Sequence, residues 1–168
     1  RDLKNIKKLG FEFTHFAEFA WTYMEPEEGK YDFKWLDDAL SIAEKEGLKV
    51  ILCTPTPTPP AWMGDKYPEI YLVDSKGNRR QHGNRANISV TNKKYREFTA
   101  KIVAELGKRY GKNKNIIGWQ IDNEPLSTED YSPYARTAFQ IWLKANYGTI
   151  EKLNTEWVGS FWSTRYSN

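Results

Sequence analysis

One carboxylate stands directly after a segment that the sequence predicts to be a buried strand. Glu124 follows the apolar segment 116–121, in the run Trp119-Gln120-Ile121-Asp122-Asn123-Glu124-Pro125. Hydrolysis of a glycosidic bond needs a carboxylic acid that protonates the leaving oxygen and a second carboxylate that acts as nucleophile or base. An amide beside the acid, here Asn123, can hydrogen-bond the sugar 2-hydroxyl. Glu124 is therefore a candidate proton donor, and the alternative is an ordinary charge in a loop.

Three arginines lie in the long segment after the proline-rich run, namely Arg79, Arg80 and Arg85. A guanidinium in such a position can bind a sugar hydroxyl or hold a catalytic carboxylate ionised. Glu18 follows the first predicted strand, so it is a candidate substrate contact or a salt-bridge partner for Arg85. Asp122 is interpreted as structural. Three further carboxylates in a Pro-Gly turn are predicted to be solvated: Glu25, Glu27 and Glu28.

Histidine and cysteine, two common metal ligands, are sparse in the sequence. His15 and His82 are the two histidines, and they show no ligand spacing. Cys53 is the single cysteine, which excludes an internal disulfide and a multi-cysteine metal site. The sequence therefore predicts no metal and no cofactor.

Composition narrows the class of protein. The chain has 168 residues, with 39% hydrophobic and 28% charged residues, which is typical of a globular domain with its own apolar core. The net charge of +3 comes from Lys and Arg interspersed with Asp and Glu, so nucleic-acid binding is not indicated. No apolar stretch approaches the roughly 20 residues of a membrane span. The compartment is left open.

Aromatic residues are abundant at 15%, and they include seven Trp. Many of them fall near Pro, Gly and Asn, where loops are expected. A flat aromatic face can stack on the C–H face of a sugar ring. The alternative for any one Trp is that it belongs to the core.

Hydrophobic periodicity predicts alternating helices and strands. Helices are predicted at 2–9, from Leu36 to Gly47, at 92–110 and at 133–147, with a further helix capped by Thr149. Strands are predicted within 11–19, at 48–54 and at 116–121. The segment 63–89 shows no clear period and is interpreted as a functional loop or a small hairpin.

Regular alternation of this kind predicts a parallel sheet with right-handed crossovers. A (β/α) barrel and an open doubly wound sheet both satisfy that pattern. No Gly-x-Gly-x-x-Gly run follows the first strand, and polar and aromatic residues cluster after the strand ends. The barrel is therefore favoured. Since three of the eight strands of a barrel are visible, the chain is predicted to be a fragment that begins inside a larger protein.

Several stretches together resemble one known family, the β-galactosidases of glycoside hydrolase family 42. The match runs in the right order over nearly the whole chain, which is more specific than any single dipeptide. The stretches that carry the resemblance are Glu18-Phe19-Ala20-Trp21, Met24-Glu25-Pro26-Glu27-Glu28-Gly29-Lys30-Tyr31-Asp32-Phe33, Thr54-Pro55-Thr56-Pro57-Thr58-Pro59-Pro60-Ala61-Trp62, Gly118-Trp119-Gln120-Ile121-Asp122-Asn123-Glu124 and Phe161-Trp162-Ser163.

The resemblance implies an α/β fold that is a partial (β/α)8 TIM barrel, with residues 1–168 as the N-terminal half of the catalytic domain and the visible strands as about strands 2 to 4. Glu124 matches the acid/base after strand 4, while the nucleophile follows strand 7. Asn123 matches the galactose-binding Asn, Arg85 the substrate-binding Arg, and Trp162 resembles an aromatic residue lining the pocket. Trimeric assembly is common in the family.

The sequence departs from the family pattern at two places. Many members hold zinc with four cysteines, but Ser89 stands near the first of those positions and 126–138 contains no Cys. This chain is therefore predicted to lack that zinc. Pro125-Leu126 stands where Tyr-Gly is common, so the exact sugar stays open.

The resemblance thus implies that the full-length parent hydrolyses terminal β-D-galactosides by retaining double displacement. The strand that supplies the second carboxyl is not visible, so these 168 residues alone are expected to be inactive. Two alternatives remain: another glycosidase of the same clan that acts on mannans, glucans or arabinosides, and a non-catalytic carbohydrate-binding module.

Overall fold

A parallel sheet of three strands organises the part of the chain that the computed structural model describes, residues 1–125 and 129–167. The strands are β1 (Phe13–Phe16), β2 (Lys49–Cys53) and β3 (Ile116–Gln120), in that spatial order. Both neighbouring pairs are parallel. The prediction of a parallel sheet is confirmed, and the equation of these strands with barrel strands 2 to 4 stays a prediction.

Helices connect the strands, as the periodicity predicts. They are α1 (Asp2–Lys8), α2 (Trp21–Met24), α3 (Lys34–Lys45), α4 (Ala61–Lys66), α5 (Lys93–Tyr110), α6 (Pro133–Tyr147) and α7 (Ile150–Glu156), with a 3-10 turn at Pro68–Ile70. The short α2 and α4 were not predicted, because segments of four and six residues are too short to show a helical period. No helix in the described ranges is both long and apolar enough to cross a membrane.

The segment 63–89 is better ordered than its sequence suggests. It begins within α4, passes through the 3-10 turn and reverses direction around Gly77, which has a φ of 84°. Isolated antiparallel bridges join Val73 to Arg79 and Tyr71 to Ile88. Of the two interpretations of this segment, the small hairpin agrees with the structure, except for its two helical turns.

The core lies between one face of the sheet and the helices α3 and α5. Val50 and Leu52 of β2 are fully buried on that face. The helical spacing places apolar side chains of both helices in the same cluster. These side chains are Leu36, Leu40 and Ala43 of α3, and Tyr95, Phe98, Ile102, Leu106 and Tyr110 of α5. The core thus holds β2 in place, and with it the carboxyl end of that strand.

Three helices begin at a residue whose side chain caps the first turn. Asn92, Ser132 and Thr149 accept hydrogen bonds from the backbone N–H three residues further on, at 3.1, 3.2 and 3.2 Å. Each bond satisfies a backbone donor that has no partner within the helix. The predicted cap at Thr149 is confirmed, and α7 begins at the next residue.

Candidate active site

The candidate site is built where the three parallel strands end. Phe16, Cys53 and Gln120 are the last residues of β1, β2 and β3, and they lie at the same edge of the sheet because all the strands run in one direction. This carboxyl edge is where enzymes with parallel sheets carry their functional loops. The backbone N–H of Thr54 donates to the carbonyl of Gln120 at 2.9 Å, which continues the pairing beyond β2.

Asp122 fastens the segment that carries Glu124 to the loop after β2. Its carboxylate accepts from the hydroxyl of Thr56 at 2.6 Å, and its backbone N–H donates to the hydroxyl of Thr54 at 2.8 Å. The hydroxyl of Tyr95 in α5 in turn donates to the carbonyl of Thr56 at 2.8 Å, and burial raises the pKa of Tyr95 to about 12. The structural role predicted for Asp122 agrees with these contacts.

Asn123 is held by its neighbours in the same network. Its backbone N–H donates to the carboxylate of Asp122 at 2.7 Å. Its side-chain oxygen accepts from the side-chain amide of Gln120 at 3.2 Å, and the same amide donates to the carbonyl of Asp122 at 3.2 Å. The orientation of the Asn123 amide is therefore set by the end of β3.

The backbone at this point is in an uncommon conformation. Asp122 and Glu124 have φ angles of 58° and 46°, a region that residues other than glycine rarely adopt. Such conformations cost on the order of 1–3 kcal/mol each and persist where neighbouring contacts hold them. The threonine bonds to Asp122 are contacts of that kind. The side chain of Glu124 is exposed.

Arg85 meets the side chain of Glu124. The distance between its Nη2 and Oε2 of Glu124 is 2.7 Å, across 39 residues of sequence. Arg79 instead donates to the carbonyls of Pro68 and Tyr71, at 3.4 and 3.2 Å. Of the three arginines named from the sequence, Arg85 is thus the one that the structure brings to Glu124. The alternative pairing of Arg85 with Glu18 is not found among the described contacts.

An open cavity of about 450 Å³ is lined in part by Arg85. The guanidinium carbon of Arg85 is 6.0 Å from the centre of the Phe19 ring, a cation–π arrangement. A cavity of this size falls within the range of small-molecule sites. Its lining combines aromatic, hydroxyl and amide groups from helix α2 and from loops: Phe19, Thr22, Thr58, Pro59, His82, Gly83, Asn84 and Arg85.

Trp162 is not assembled with these residues. Its ring packs edge-on against Phe161 at 4.8 Å between centroids, and 79% of the residue is exposed. Among the described residues it forms no hydrogen bond to Arg85, Asn123 or Glu124. The suggestion that Trp162 lines the pocket therefore gains no support from this geometry, and it stays a prediction.

Glu18 lies beside His15 and Cys53. Nδ1 of His15 is 3.9 Å from the carboxylate of Glu18 and 3.8 Å from the sulfur of Cys53. Burial is the main cause that raises the pKa of the Cys53 thiol to about 11, and the nearby charge of Glu18 is the second. The sequence spacing of the histidines did not reveal this group of potential metal ligands, because it joins two strands.

The prediction that Glu25 is solvated is wrong. Only 1% of Glu25 is exposed, and its carboxylate accepts from Nε1 of Trp21 at 2.8 Å and from the backbone N–H of Gly29 at 2.9 Å. Its carbonyl accepts from Nε1 of Trp62 at 2.8 Å. The signal missed in the sequence is Trp21, which stands four residues before Glu25 and faces it across the turn of α2. Glu25 thus fixes two tryptophans near the loops of the site.

Two positions concern the predicted departures from the family. Ser89 is fully buried, and its hydroxyl lies 3.1 Å from that of Thr91 and 3.5 Å from that of Ser132. Leu126 lies outside the described residues. The predicted lack of a four-cysteine zinc site stays a prediction.

Comparison with protein families gives a match along the whole chain. The family model described as "Beta-galactosidase", glycoside hydrolase family 42, matches residues 1–168. A β-galactosidase named BgaA from Thermus sp. is 44% identical over 99% of this chain and 26% of its own length. A β-galactosidase from Thermus thermophilus is also 44% identical, over 98% of this chain and 26% of its own length.

Solved structures show the same likeness. A β-galactosidase from Rahnella sp. R3 superposes with a TM-score of 0.91 and 36% identity, over 100% of this chain and 25% of that one. A β-galactosidase from Halorubrum lacusprofundi superposes with a TM-score of 0.91 and 39% identity, over 100% of this chain and 26% of that one. The chain therefore spans about a quarter of the length of the relatives it matches.

Proposed function

The chain belongs to glycoside hydrolase family 42, and we propose that it contributes the acid/base part of an active site that hydrolyses terminal β-D-galactosides. Its α/β fold with a parallel sheet matches the N-terminal part of the TIM-barrel structures of that family. The observation that carries the proposal is the contact between Arg85 and Glu124, which joins two residues matched independently to substrate binding and to proton transfer.

Glu124 is the proposed proton donor to the leaving oxygen. It follows the carboxyl end of β3, its backbone is fixed through Asp122, and its side chain reaches into solvent where a substrate can approach. General acid catalysis requires that the carboxyl group be within hydrogen-bond reach of the oxygen it protonates. A fixed backbone with an exposed side chain meets that requirement better than a mobile loop does.

Arg85 and Asn123 are the proposed substrate-binding residues. A guanidinium has five N–H donors, so Arg85 can hold Glu124 with one of them and still donate to sugar hydroxyls. Asn123 precedes the acid and is oriented by Gln120. A hydrogen bond from such an amide to the sugar 2-hydroxyl strengthens in the transition state. Trp162 is proposed as a stacking residue, on the strength of the family resemblance alone.

The proposed mechanism is double displacement with retention of configuration. It requires a carboxylate nucleophile about 5–5.5 Å from Glu124. The family resemblance places that nucleophile on a later strand, outside residues 1–168. We therefore propose that residues 1–168 by themselves do not turn over galactosides.

The decisive experiment compares Glu124→Gln with the parent in the protein as its gene encodes it. Two aryl β-galactosides are used, one with a poor and one with a good leaving group. An acid matters less when the leaving oxygen is itself a weak base, so the variant should lose roughly 10²–10⁴-fold in kcat on the poor leaving group and far less on the good one. Glu97→Gln, an exposed carboxylate of α5, is the matched control.

Four results would contradict the proposal. Equal losses on both substrates would make Glu124 a binding or structural residue, and full activity would remove it from the site. NMR can determine the anomeric configuration of the first product. Inversion of that configuration would exclude double displacement. Robust turnover by residues 1–168 alone, lost on Glu124→Gln, would show that no later strand is needed.

A further inference from the structure

An imidazole, a carboxylate and a thiol meet at the carboxyl end of β1 and β2. They belong to His15, Glu18 and Cys53, and their potential ligand atoms all lie within 4.8 Å of one another. We propose that these three residues bind a divalent cation of the zinc type. The proposal rests on their geometry and is independent of the catalytic role of Glu124.

A change in backbone conformation directly after β1 brings these residues together. In a regular strand, side chains at positions 15 and 18 would point to opposite faces. Ala17 has a φ of 93°, so the backbone leaves the extended conformation immediately after β1. Glu18 is thereby brought to the side on which His15 lies. Cys53 comes from the neighbouring strand, whose residue Leu52 pairs with Phe16.

The separations are close to those between ligands of one ion. His15 Nδ1 is 3.9 Å from the Glu18 carboxylate, beyond hydrogen-bond range, and 3.8 Å from the Cys53 sulfur, within the longer range of hydrogen bonds to sulfur. Two ligands on a tetrahedral zinc, with bonds of about 2.0–2.3 Å, lie roughly 3.3–3.6 Å apart. The two measured separations exceed these values by a few tenths of an ångström, so a small inward shift would let the groups share one ion.

The donor set selects the kind of cation. One sulfur, one nitrogen and one carboxylate oxygen form a mixed set that favours zinc, or cobalt in its place, over magnesium and calcium, which prefer oxygen ligands. The cation would replace the proton of the Cys53 thiol, which passes to solvent. Three protein ligands leave a fourth position for water, the arrangement of zinc sites that are not purely structural.

The three groups differ in burial. Within residues 1–168 the side chain of His15 is 55% exposed and that of Glu18 is 21% exposed, whereas Cys53 is buried. The residues do not include Ser89 or any position between 126 and 138, where the family resemblance places its four-cysteine zinc. The proposed site is therefore a separate one.

Titration with Zn²⁺ and Co²⁺ tests the proposal on the protein as its gene encodes it. We expect one ion per chain, with Co²⁺ giving the near-ultraviolet absorption of a thiolate–cobalt bond, and no binding of Mg²⁺. Cys53→Ser and His15→Ala should each weaken Zn²⁺ affinity at least tenfold, and Cys53→Ser should abolish the thiolate band. His82→Ala is the matched control, since it removes a histidine outside the cluster.

Far-UV circular dichroism and a thermal melt establish that each variant is folded. If Cys53→Ser does not fold, Glu18→Gln replaces it, because that change keeps the shape of the side chain and removes one ligand charge. Affinity that is unchanged in the cluster variants, or lost only in His82→Ala, would overturn the proposal and identify adventitious surface binding. Absence of the thiolate band at saturating Co²⁺ would overturn it as well.

Discussion

Helices α5 and α6 look alike in sequence but differ in what they bury. Both begin at a polar capping residue, and both place apolar side chains at helical spacing. α5 buries five residues in the core, whereas α6 buries none, and Phe139, Ile141 and Trp142 of α6 are exposed. Phe139 and Trp142 stack on each other, with ring centroids 6.1 Å apart.

The difference shows that periodicity and capping predict a helix but not its partner. In the sequence, α5 connects β2 to β3, which are neighbours in the sheet. Its apolar side chains belong to the same core cluster as those of β2, so its apolar face has a surface to pack against. α6 follows the last described strand, and its main contacts are with α7. Among the described residues, Ile117 and Trp119 of β3 are likewise exposed. An apolar face of this extent is typical of a surface that meets other protein.

The largest expected contrast comes from the same truncation in the two helices. Ile102→Ala in α5 removes a fully buried side chain and should lower the free energy of unfolding by about 2–5 kcal/mol. Ile141→Ala in α6, where 64% of the residue is exposed, should change it by less than about 0.5 kcal/mol. Urea unfolding of residues 1–168 measures both. Comparable losses would mean that the α6 face is covered.

Removing a capping residue should also lower the free energy of unfolding more at the buried start of α5 than at the exposed start of α7, with smaller effects than the truncations above. Asn92 is buried, and besides capping α5 it donates to the carbonyl of Glu69 at 3.0 Å. Asn92→Ala should therefore cost about 1–2 kcal/mol, near the upper end for capping residues. Thr149→Ala, at the exposed start of α7, should cost about 0.5 kcal/mol. A larger loss at Thr149, measured by urea unfolding, would reverse the comparison.

Acid should loosen the start of α6 through Asp130. Burial raises the pKa of Asp130, but hydrogen bonds from Ser89, Ser132 and the backbone of Val73 outweigh it, so the pKa lies below the ordinary 3.8. The stabilisation is therefore present above about pH 4 and is lost as the pH falls through the lowered value. Unfolding free energies at pH 7 and pH 3 should differ more in the parent than in Asp130→Asn. Equal differences would contradict this assignment.

Surface ion pairs should show the smallest contrast. Arg109 of α5 binds Asp37 of α3, and Tyr110 donates to the same carboxylate at 2.8 Å. Lys152 and Glu156 pair within α7 at 3.7 Å. Asp37→Asn should cost up to about 1 kcal/mol and Glu156→Gln close to nothing, since exposed pairs contribute little. Thermal unfolding at low and high salt checks both, and a salt-insensitive loss at Asp37 would point to packing instead.

Much of the fold could be predicted from the sequence. The strands at 48–54 and 116–121 and the helices at 92–110 and 133–147 lie within a residue or two of β2, β3, α5 and α6. The two helices are long and periodic and the two strands are short apolar runs, so local pattern determines them. Glu124 and Glu18 are named because they follow predicted strand ends. Arg85 is named as one of three arginines after the proline-rich run, and the family resemblance matches it to substrate binding. Its contact with Glu124, instead of the suggested pairing with Glu18, could not be predicted from the sequence.

The features that could not be predicted depend on contacts between residues distant in sequence or on rare backbone conformations. The sequence around Glu25 is typical of a polar turn and predicts a solvated carboxylate, whereas hydrogen bonds from Trp21 and Gly29 hold that carboxylate in a buried position. The approach of Glu18 to Cys53 depends on the left-handed conformation of Ala17, which no propensity of alanine suggests. The burial of α5 and the exposure of α6 depend on the sheet and not on either helix.

The ion pair between Arg85 and Glu124 also bears on how fast a ligand arrives. Two opposite charges 2.7 Å apart act at a distance as a dipole, whose field decays faster than that of a single charge. Salt screens what is left beyond a Debye length of about 8 Å at physiological ionic strength. A charged ligand would therefore be steered only weakly towards this edge of the sheet, and the rate at which an uncharged ligand arrives should not change with added salt, because the field has no net charge to act on.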